Sequence, residues 1–519
     1  MKSVFVSKRA WFGGVALLSA MSIVACGDDG GDGTDTTAGK TGGGSGGKAG
    51  SPSQGGDGGS SSGSGGKAGN DTGGTAGSAP TEGGMGGEAP GMTGGEGGVG
   101  GLGGATGEGG EGGAPEPPLA DQVRAMYAGM SPLPAVPADT TNAFADNAAA
   151  ATFGQRLFFD EKFSGAMTAT GDTNLGAVGE VGKVSCASCH SGPALDDERS
   201  DPATVSKGTG LHTRNSPAVV NSAFYTWTNW GGRFSAQWEL PLVVVENGAI
   251  MNGNRLALVH RIRTQYEADY EAVFGEIPAA VAGYPASGKP GVADFDNLPA
   301  GDKTIVNRIL VNYSKALQAY MRKLVSREAP FDLLMAGDDD AMTEDEMRGA
   351  LLFGKNGCME CHSGPTFSDQ SFHDLGVPQT GANVPATDDG RFANMPAVKA
   401  VTNLFNRDGD FSDDKNTGKL QDIPVAPTLP PDSWKGQFRT PSLRGVALTA
   451  PYMHSGQLAT LSEVLDFYEI GKNANTGAGE PLPDITISLE EKAQMIAFLG
   501  SLTGKPVDAA LLQDTSDPD

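Results

Sequence analysis

Cysteine is scarce in this chain, with five among 519 residues. That is too few to staple a chain of this length with disulfides, so each one has to be read for a specific role. Basic side chains are also short: 37 Lys and Arg stand against 62 Asp and Glu, for a formal net charge of -25. Without a basic stripe to meet phosphates, nucleic acid is not expected as a partner. Past residue 26 no apolar run is long enough to cross a bilayer, so contact with a membrane is expected only at the start of the chain. Glycine is what abounds. The 79 glycines are concentrated between Gly27 and Ala114, a stretch with few branched apolar or aromatic residues. It cannot bury enough surface to offset its ordering entropy and is expected to be a disordered Gly/Ser/Thr tether.

The first residues have the pattern of an export signal. Lys2, Lys8 and Arg9 supply a positive end, followed by an apolar run from Trp11 to Val24 that is short for a membrane span. It closes as Ile23-Val24-Ala25-Cys26 before Gly27-Asp28-Asp29. That is the form of a bacterial lipobox, with cleavage before Cys26 and a lipid on its thiol; a plain signal peptide with an incidental cysteine is the alternative. The expected location is the bacterial cell envelope, periplasmic or at the outer surface, with the membrane reached only through the N-terminal lipid.

The other four cysteines form Cys186-Ala187-Ser188-Cys189-His190 and Cys358-Met359-Glu360-Cys361-His362. C-x-x-C-H is the c-type haem attachment signature. The spacing presents both thiols on one side of a helical turn, where each can form a thioether with a haem vinyl group. The histidine that follows lies beneath the ring and can ligate iron. A four-cysteine zinc site or a pair of redox dithiols would also use two C-x-x-C pairs. Neither explains why one of only six histidines follows each pair. Two c-type haems are therefore expected, on His190 and His362.

Helical patterns surround both motifs. Ile305, Ile309, Tyr313, Leu317 and Tyr320 recur at helical spacing in one long amphipathic helix, and another is expected from Arg255 to Phe274. Thr343/Glu346, Thr460/Glu463 and Ser488/Glu491 have the spacing of capping boxes. Alternating strand patterns are scarce. The expected fold class is all-α, with two cytochrome c-like haem domains behind a disordered Gly-rich tether. The expected boundaries are a signal peptide at 1–26, a linker at 27–117, domains at 118–328 and 329–506, and a tail at 507–519.

Several ordered stretches resemble the bacterial di-haem cytochrome c peroxidase family, which includes the MauG-type enzymes. They are Leu157-Phe158-Phe159-Asp160, Arg214-Asn215-Ser216-Pro217, Trp230-Gly231-Gly232-Arg233, Arg439-Thr440-Pro441-Ser442-Leu443-Arg444, and Leu448-Thr449-Ala450-Pro451-Tyr452-Met453-His454-Ser455-Gly456, interleaved with the two haem motifs. The resemblance covers about Ala148 to Gly504. It implies a peroxidatic haem in the first domain, an electron-transfer haem in the second, and a calcium ion between them. Hydrogen peroxide is the implied oxidant, and a cytochrome or an oxidisable partner protein the implied electron source.

Carried over residue by residue, the resemblance gives Trp230 the place of the tryptophan between the haems, although an ordinary core tryptophan would also fit. Asn215, Thr449 and Pro451 match the calcium ligands, the last two through backbone carbonyls, a hard oxygen set suited to that cation; two ordinary turns without metal are the alternative. In the family's peroxidases a methionine ligates the second haem fourteen residues after the histidine of the Tyr-x-His-Ser-Gly stretch. Counted from His454, that position is Tyr468, as in MauG-type enzymes, and a phenolate ligand favours oxidised iron where methionine raises the potential. A core role for Tyr468, with Met453 or Met395 ligating instead, stays open.

The first haem departs from the family's pattern. Where peroxidases carry a blocking histidine seven residues before the arginine of Arg-Asn-Ser-Pro, this chain has Lys207, which implies an open, five-coordinate haem. His212 is expected to be a surface loop histidine, and His260 and His373 are expected at the surface too, while His454 is expected near the second haem. The family's acid–base glutamate and its glutamine fall on Ile250 and Leu240, and the motif aspartate on Gly231. Glu239 and Met251 keep the register. Glu246, one helical turn before Ile250, is the expected substitute for the catalytic carboxylate, and equally readable as a structural glutamate. The losses also admit another function, an anchored di-haem electron-transfer cytochrome without peroxide chemistry.

Overall fold

The computed structural model describes residues 116–516 except 170–174, 198, 201–204, 399–402, 417–429, 472–481 and 483–484. The expected signal peptide, Cys26 and nearly all of the Gly-rich linker lie outside the described residues.

Two hydrophobic cores organise the described chain, each around a pair of helices in backbone contact. In the first, α2 (Ala148–Phe159) packs on α7 (Ala300–Met321). Asn147 caps α2 by accepting from the N–H of Ala150 at 2.9 Å, an interaction that satisfies one of the helix's orphan donors. Gly154 permits the approach: a Cβ there would lie 2.0 Å from the carbonyl oxygen of Ala316. In the second core, α9 (Glu344–Lys355) packs on α12 (Leu489–Ser501), and a Cβ on Gly349 would lie 1.9 Å from the carbonyl oxygen of Gln494. Each glycine-bearing helix precedes a C-x-x-C-H motif, so the same packing device is built twice.

The reciprocal capping boxes at Thr343/Glu346 and Ser488/Glu491 open α9 and α12. At α11 (Leu461–Ile470) only half of the box forms, because Thr460 accepts from Glu463 N while the Glu463 carboxylate turns to Ala459 N. Against α7 lie α3 (Glu239–Glu246) and α4 (Arg255–Gln265), while α5 (Glu267–Phe274) packs on α2 and α4. The helix expected from 255 to 274 breaks at Tyr266, whose φ of -127° and ψ of 17° leave the α region. Its ring is buried and its hydroxyl donates to Asp160 Oδ2 at 2.8 Å, an anchor that a continuous helix would have to carry through this point. Short helices α6 (Ala293–Asp296), α8 (Pro330–Met335) and α10 (Arg391–Val398) fill the connections.

Sheet is confined, among the described residues, to one antiparallel pair, β1 (Phe372–His373) with β2 (Phe438–Arg439), in the register Phe372↔Arg439 and His373↔Phe438. The molecule is therefore helix-rich, as the patterning implied. No helix of the described residues is long and apolar enough to cross a membrane.

The two cores do not follow the linear boundaries expected from sequence. Helix α1 (Leu119–Met126), placed there in the first domain, packs with the second core. Tyr127 anchors it, with its ring among Phe331, Phe367 and Phe498 and its hydroxyl donating to Ala350 O at 2.8 Å. An eight-residue helix is too short to persist unsupported, so it goes where its apolar face finds a core. Val507, in the stretch expected to be a tail, is buried in the first core, and Tyr320 donates to Leu511 O at 2.6 Å.

Candidate haem sites and the groups between them

Local geometry repeats at the two C-x-x-C-H motifs. His190 Nδ1 lies 2.8 Å from the carbonyl oxygen of Leu195, and His362 Nδ1 lies 3.0 Å from that of Phe367. Leu195 and Phe367 adopt φ of 53° and 52°, the left-handed region that large side chains rarely enter. Strain of this kind persists where surrounding structure demands it; here it accompanies a carbonyl turned back onto the preceding histidine. With Nδ1 as the donor, each Nε2 keeps its lone pair for a metal. Burial lowers both imidazoles below the usual range, partly opposed by those carbonyls, which keeps them in the neutral, ligating form. The signal was in the sequence: His-Ser-Gly-Pro follows both cysteine pairs, with Leu195 and Phe367 at matching places.

Burial pushes the Cys186 and Cys189 thiols up to about 12, and Cys358 up to about 11. The two pairs pack against different cores, so one four-cysteine site does not form. The residues fit a covalently held haem at each pair.

A cavity of about 580 Å³ adjoins the second motif, within the roughly 300–1,000 Å³ usual for cofactor pockets. Its wall includes Cys358, Cys361, His362, Trp230, Met453 and Tyr468. The Tyr468 phenol is held above its ordinary range by burial first and by the Cys358 and Cys361 thiols second. Met395 is fully buried in a separate cluster with Trp227 and Val398 and is not part of that wall.

Asn215 links the two halves beside Trp230. Trp230 Nε1 donates to Asn215 O at 2.8 Å, the Asn215 N–H donates to His454 O at 2.9 Å, and Asn215 Nδ2 donates to Pro451 O at 3.1 Å. Asn215 Oδ1 is buried without a donor. An orphaned amide oxygen beside a proline carbonyl, with Thr449 on the same wall, fits a hard cation such as calcium. Gly456 closes this loop at φ +65°, where a Cβ would meet Asn215 Nδ2 at 2.7 Å. His454 is buried, stacks on Phe438 at 3.8 Å, and lies 3.2 Å from Gln379 Nε2. Burial lowers it to about 3, Arg214 adding to the effect and Asp388 opposing it.

A family model described as di-haem cytochrome c peroxidase matches residues 148–340. Cytochrome-c peroxidase IdrP1 of Denitromonas iodatirespirans is 32% identical over 386 residues, covering 73% of this chain and 87% of that protein. This chain belongs to the di-haem cytochrome c peroxidase family. Methylamine utilization protein MauG of Methylorubrum extorquens is 31% identical over 366 residues, with coverage of 69% and 80%. The solved structure of the di-haem peroxidase BthA from Burkholderia thailandensis shares the fold, with a TM-score of 0.50 at 21% identity over 72% of this chain and 89% of that one. Two c-type haems are the cofactors this family implies.

For a di-haem peroxidase, the surroundings of the first motif are unusual. Glu246, the expected stand-in for the acid–base carboxylate, is bound to Arg255: Oε1 accepts from Arg255 N and Nε at 2.9 Å each, and Oε2 from Nη2 at 2.5 Å. Both of its oxygens are thus occupied by Arg255, the arrangement its structural reading implies. Ile250 is buried in the first core, and Leu240 is half-buried. Gly231 replaces the family's aspartate where no side chain fits: a Cβ would lie 2.1 Å from Asn394 Nδ2 and 3.1 Å from Gly390 O.

His212 corrects a second expectation. It is fully buried rather than on a surface loop, and neither ring nitrogen has a hydrogen-bond partner. Burial first, then the Arg199 charge, lowers it to about 3. Its loop covers the first motif, since Lys207 O lies 3.5 Å from Cys189 Sγ. The same loop is seated on the segment of Ile250, with Thr209 N donating to Ile250 O at 2.9 Å. His260 and His373 are half-buried rather than on the surface: His260 Nε2 lies 3.1 Å from Tyr284 O, and His373 Nε2 is 2.8 Å from Asp369 Oδ2 on the cavity wall.

Proposed function

We propose that this chain is a peroxide-using oxidoreductase of MauG-like type. The His190 haem would meet hydrogen peroxide, and electrons would come from a cytochrome or an oxidisable partner protein. Family membership supports the peroxidase chemistry. The observation that carries the MauG-like form is that Tyr468 faces the cavity walled by Cys358, Cys361 and His362.

Haem bound at the two motifs would supply the redox-active iron; the chain's own residues position it. His190 and His362 would hold the iron through Nε2, which stays available because Nδ1 is engaged by Leu195 O and Phe367 O. Burial raises the Tyr468 phenol above its ordinary range, and a metal cation beside it would favour the phenolate. Trp230 is fixed by its Nε1–H donation to Asn215 O, which holds an oxidisable ring on the wall between the two cores. Calcium on Asn215, Thr449 and Pro451 belongs to the same reading, supported by the orphaned Asn215 Oδ1, as does export with a lipid on Cys26, supported by the run ending at Ala25.

A second reading, an anchored electron carrier without peroxide chemistry, is favoured by one observation: the buried His212 imidazole has two unpartnered nitrogens on the loop over the first motif. If it held the iron of a haem at that motif, it would leave peroxide no open position there. The two readings separate when ferric protein lacking the linker is mixed with stoichiometric hydrogen peroxide under stopped-flow absorption, with EPR of the resting state. Rapid loss of a high-spin signal supports the oxidoreductase. Two low-spin haems and no reaction over minutes support the carrier.

A further inference from the structure

Three arginines at or near the cavity differ in what meets their charge. Arg214 is closed against Asp388, with Nε 2.7 Å from Oδ2. Arg444 is closed against Asp332 through two bonds of 2.7 and 2.9 Å. Arg439, which like Arg444 lines the cavity, has no carboxylate among its described contacts. The residue is 5% exposed. Its guanidinium lies 3.8 Å from the centre of the Tyr225 ring, a phenol rather than an acid, and its Nη1 donates to the neighbouring carbonyl of Thr440 at 3.2 Å. Nε is buried with no acceptor.

The position of this cation is fixed by the fold. Arg439 pairs with Phe372 in the two-stranded sheet, and its N–H donates to Trp230 O at 2.8 Å. A buried guanidinium without a counter-charge is strongly unfavourable, and burial correspondingly loosens its hold on its proton. The fork of an arginine side chain matches a carboxylate in its own plane. The group that Cys358 and Cys361 attach carries two carboxylates as propionates.

We propose that Arg439 receives a propionate carboxylate of the haem held by Cys358 and Cys361, and thereby sets the potential of that haem. The proposal rests on the haem reading of that motif. A fixed positive charge beside the ring favours the reduced iron, which carries one positive charge fewer, so removing the charge makes that haem harder to reduce. The backbone of Arg439 also donates to Trp230 O, so a propionate on this side chain would lie one residue from a contact of the tryptophan on the cavity wall.

The test is an EPR- and absorption-monitored redox titration of the full-length di-haem protein, with the two haems read separately. In Arg439→Gln, the ferrous-to-ferric ratio of the second haem at a fixed potential is expected to fall about tenfold, equivalent to 59 mV for a one-electron couple, with the first haem unmoved. Arg439→Lys keeps the charge but loses the fork, and is expected to shift the second haem less. It also serves as the deciding variant if the glutamine form does not assemble. A haemochrome assay runs alongside: fewer than two haems in the unmodified chain overturns the haem reading itself. With two haems present, an unchanged second-haem potential, or a shift confined to the first haem, overturns the role of Arg439.

Discussion

Trp230 and Asn215 form the joint between the two halves: the indole Nε1 donates to the Asn215 carbonyl at 2.8 Å, while the Asn215 N–H donates across to His454 at 2.9 Å. The indole on the cavity wall is thus oriented by a residue that also binds the loop of Pro451 and His454. Trp230→Phe keeps a ring and loses both the hydrogen bond and the indole. Both haem spectra are expected to persist, while peroxide-driven oxidation of the second haem slows at least about tenfold, or about 1.4 kcal/mol in the barrier. Stopped-flow traces at the second haem's own bands measure this, and an unaltered rate would remove Trp230 from the route.

Calcium should be held by the same joint. Asn215→Ala removes the buried Oδ1 that lacks a donor, and one equivalent of calcium should be lost by elemental analysis. Chelation of the unmodified protein should lower its Tm by a comparable amount. A site filled at ~100 times its Kd contributes about 2.7 kcal/mol to folding. Equal calcium content in protein and variant would refute the assignment.

Glu246→Gln should act on stability rather than on peroxide. The carboxylate is bound by three Arg255 donors, and the two side chains are 14% and 9% exposed. Breaking such a pair leaves a buried guanidinium uncompensated, at a cost of about 3–5 kcal/mol. Denaturant midpoints should drop accordingly, while the peroxide rate of the folded fraction stays within about twofold of the parent. A selective loss of that rate would restore Glu246 to the mechanism.

Gly349→Ala tests the helix crossing. The added methyl would sit 1.9 Å from Gln494 O, a clash with backbone that only separation of α9 and α12 relieves. Overpacking of this kind typically costs about 1–3 kcal/mol. A lowered Tm with a disturbed second-haem spectrum is expected, because α9 leads directly into Cys358. Gly154→Ala should do the same at the first haem.

Glu239 gives the protein a pH dependence. Burial pushes its carboxyl from 4.5 up to about 8, against hydrogen bonds from Ser235 and Ala236 and the charge of Arg407. The folded value lies above the unfolded one, so the fold favours the protonated form. Its contribution is complete below about 4.5 and is lost as pH rises through about 8. Thermal melts between about pH 5 and pH 9 should show a decline that Glu239→Gln flattens. Parallel profiles for the two proteins would contradict the assignment.

The sequence by itself determined what depends on neighbours along the chain. Two C-x-x-C-H motifs set thiols and histidine within one turn, and the capping boxes at Thr343 and Ser488 start α9 and α12 as their spacing implied. Ordered motifs identified the family, because they are spelled out in consecutive residues. Packing decided the rest. Which of Tyr468, Met453 and Met395 reaches the cavity beside the second motif is set by packing: Tyr468 and Met453 line it, and Met395 goes to another cluster. Glu246 has the spacing of a catalytic substitute, but Arg255, nine residues on, takes its oxygens. His212 looks like a loop histidine until the segments around Cys189 and Ile250 close over it. Helix α1 is nearest in sequence to the first core and buries Tyr127 in the second. A short segment's environment is set by the apolar surface available to it in three dimensions, and that surface is assembled from residues hundreds of positions away.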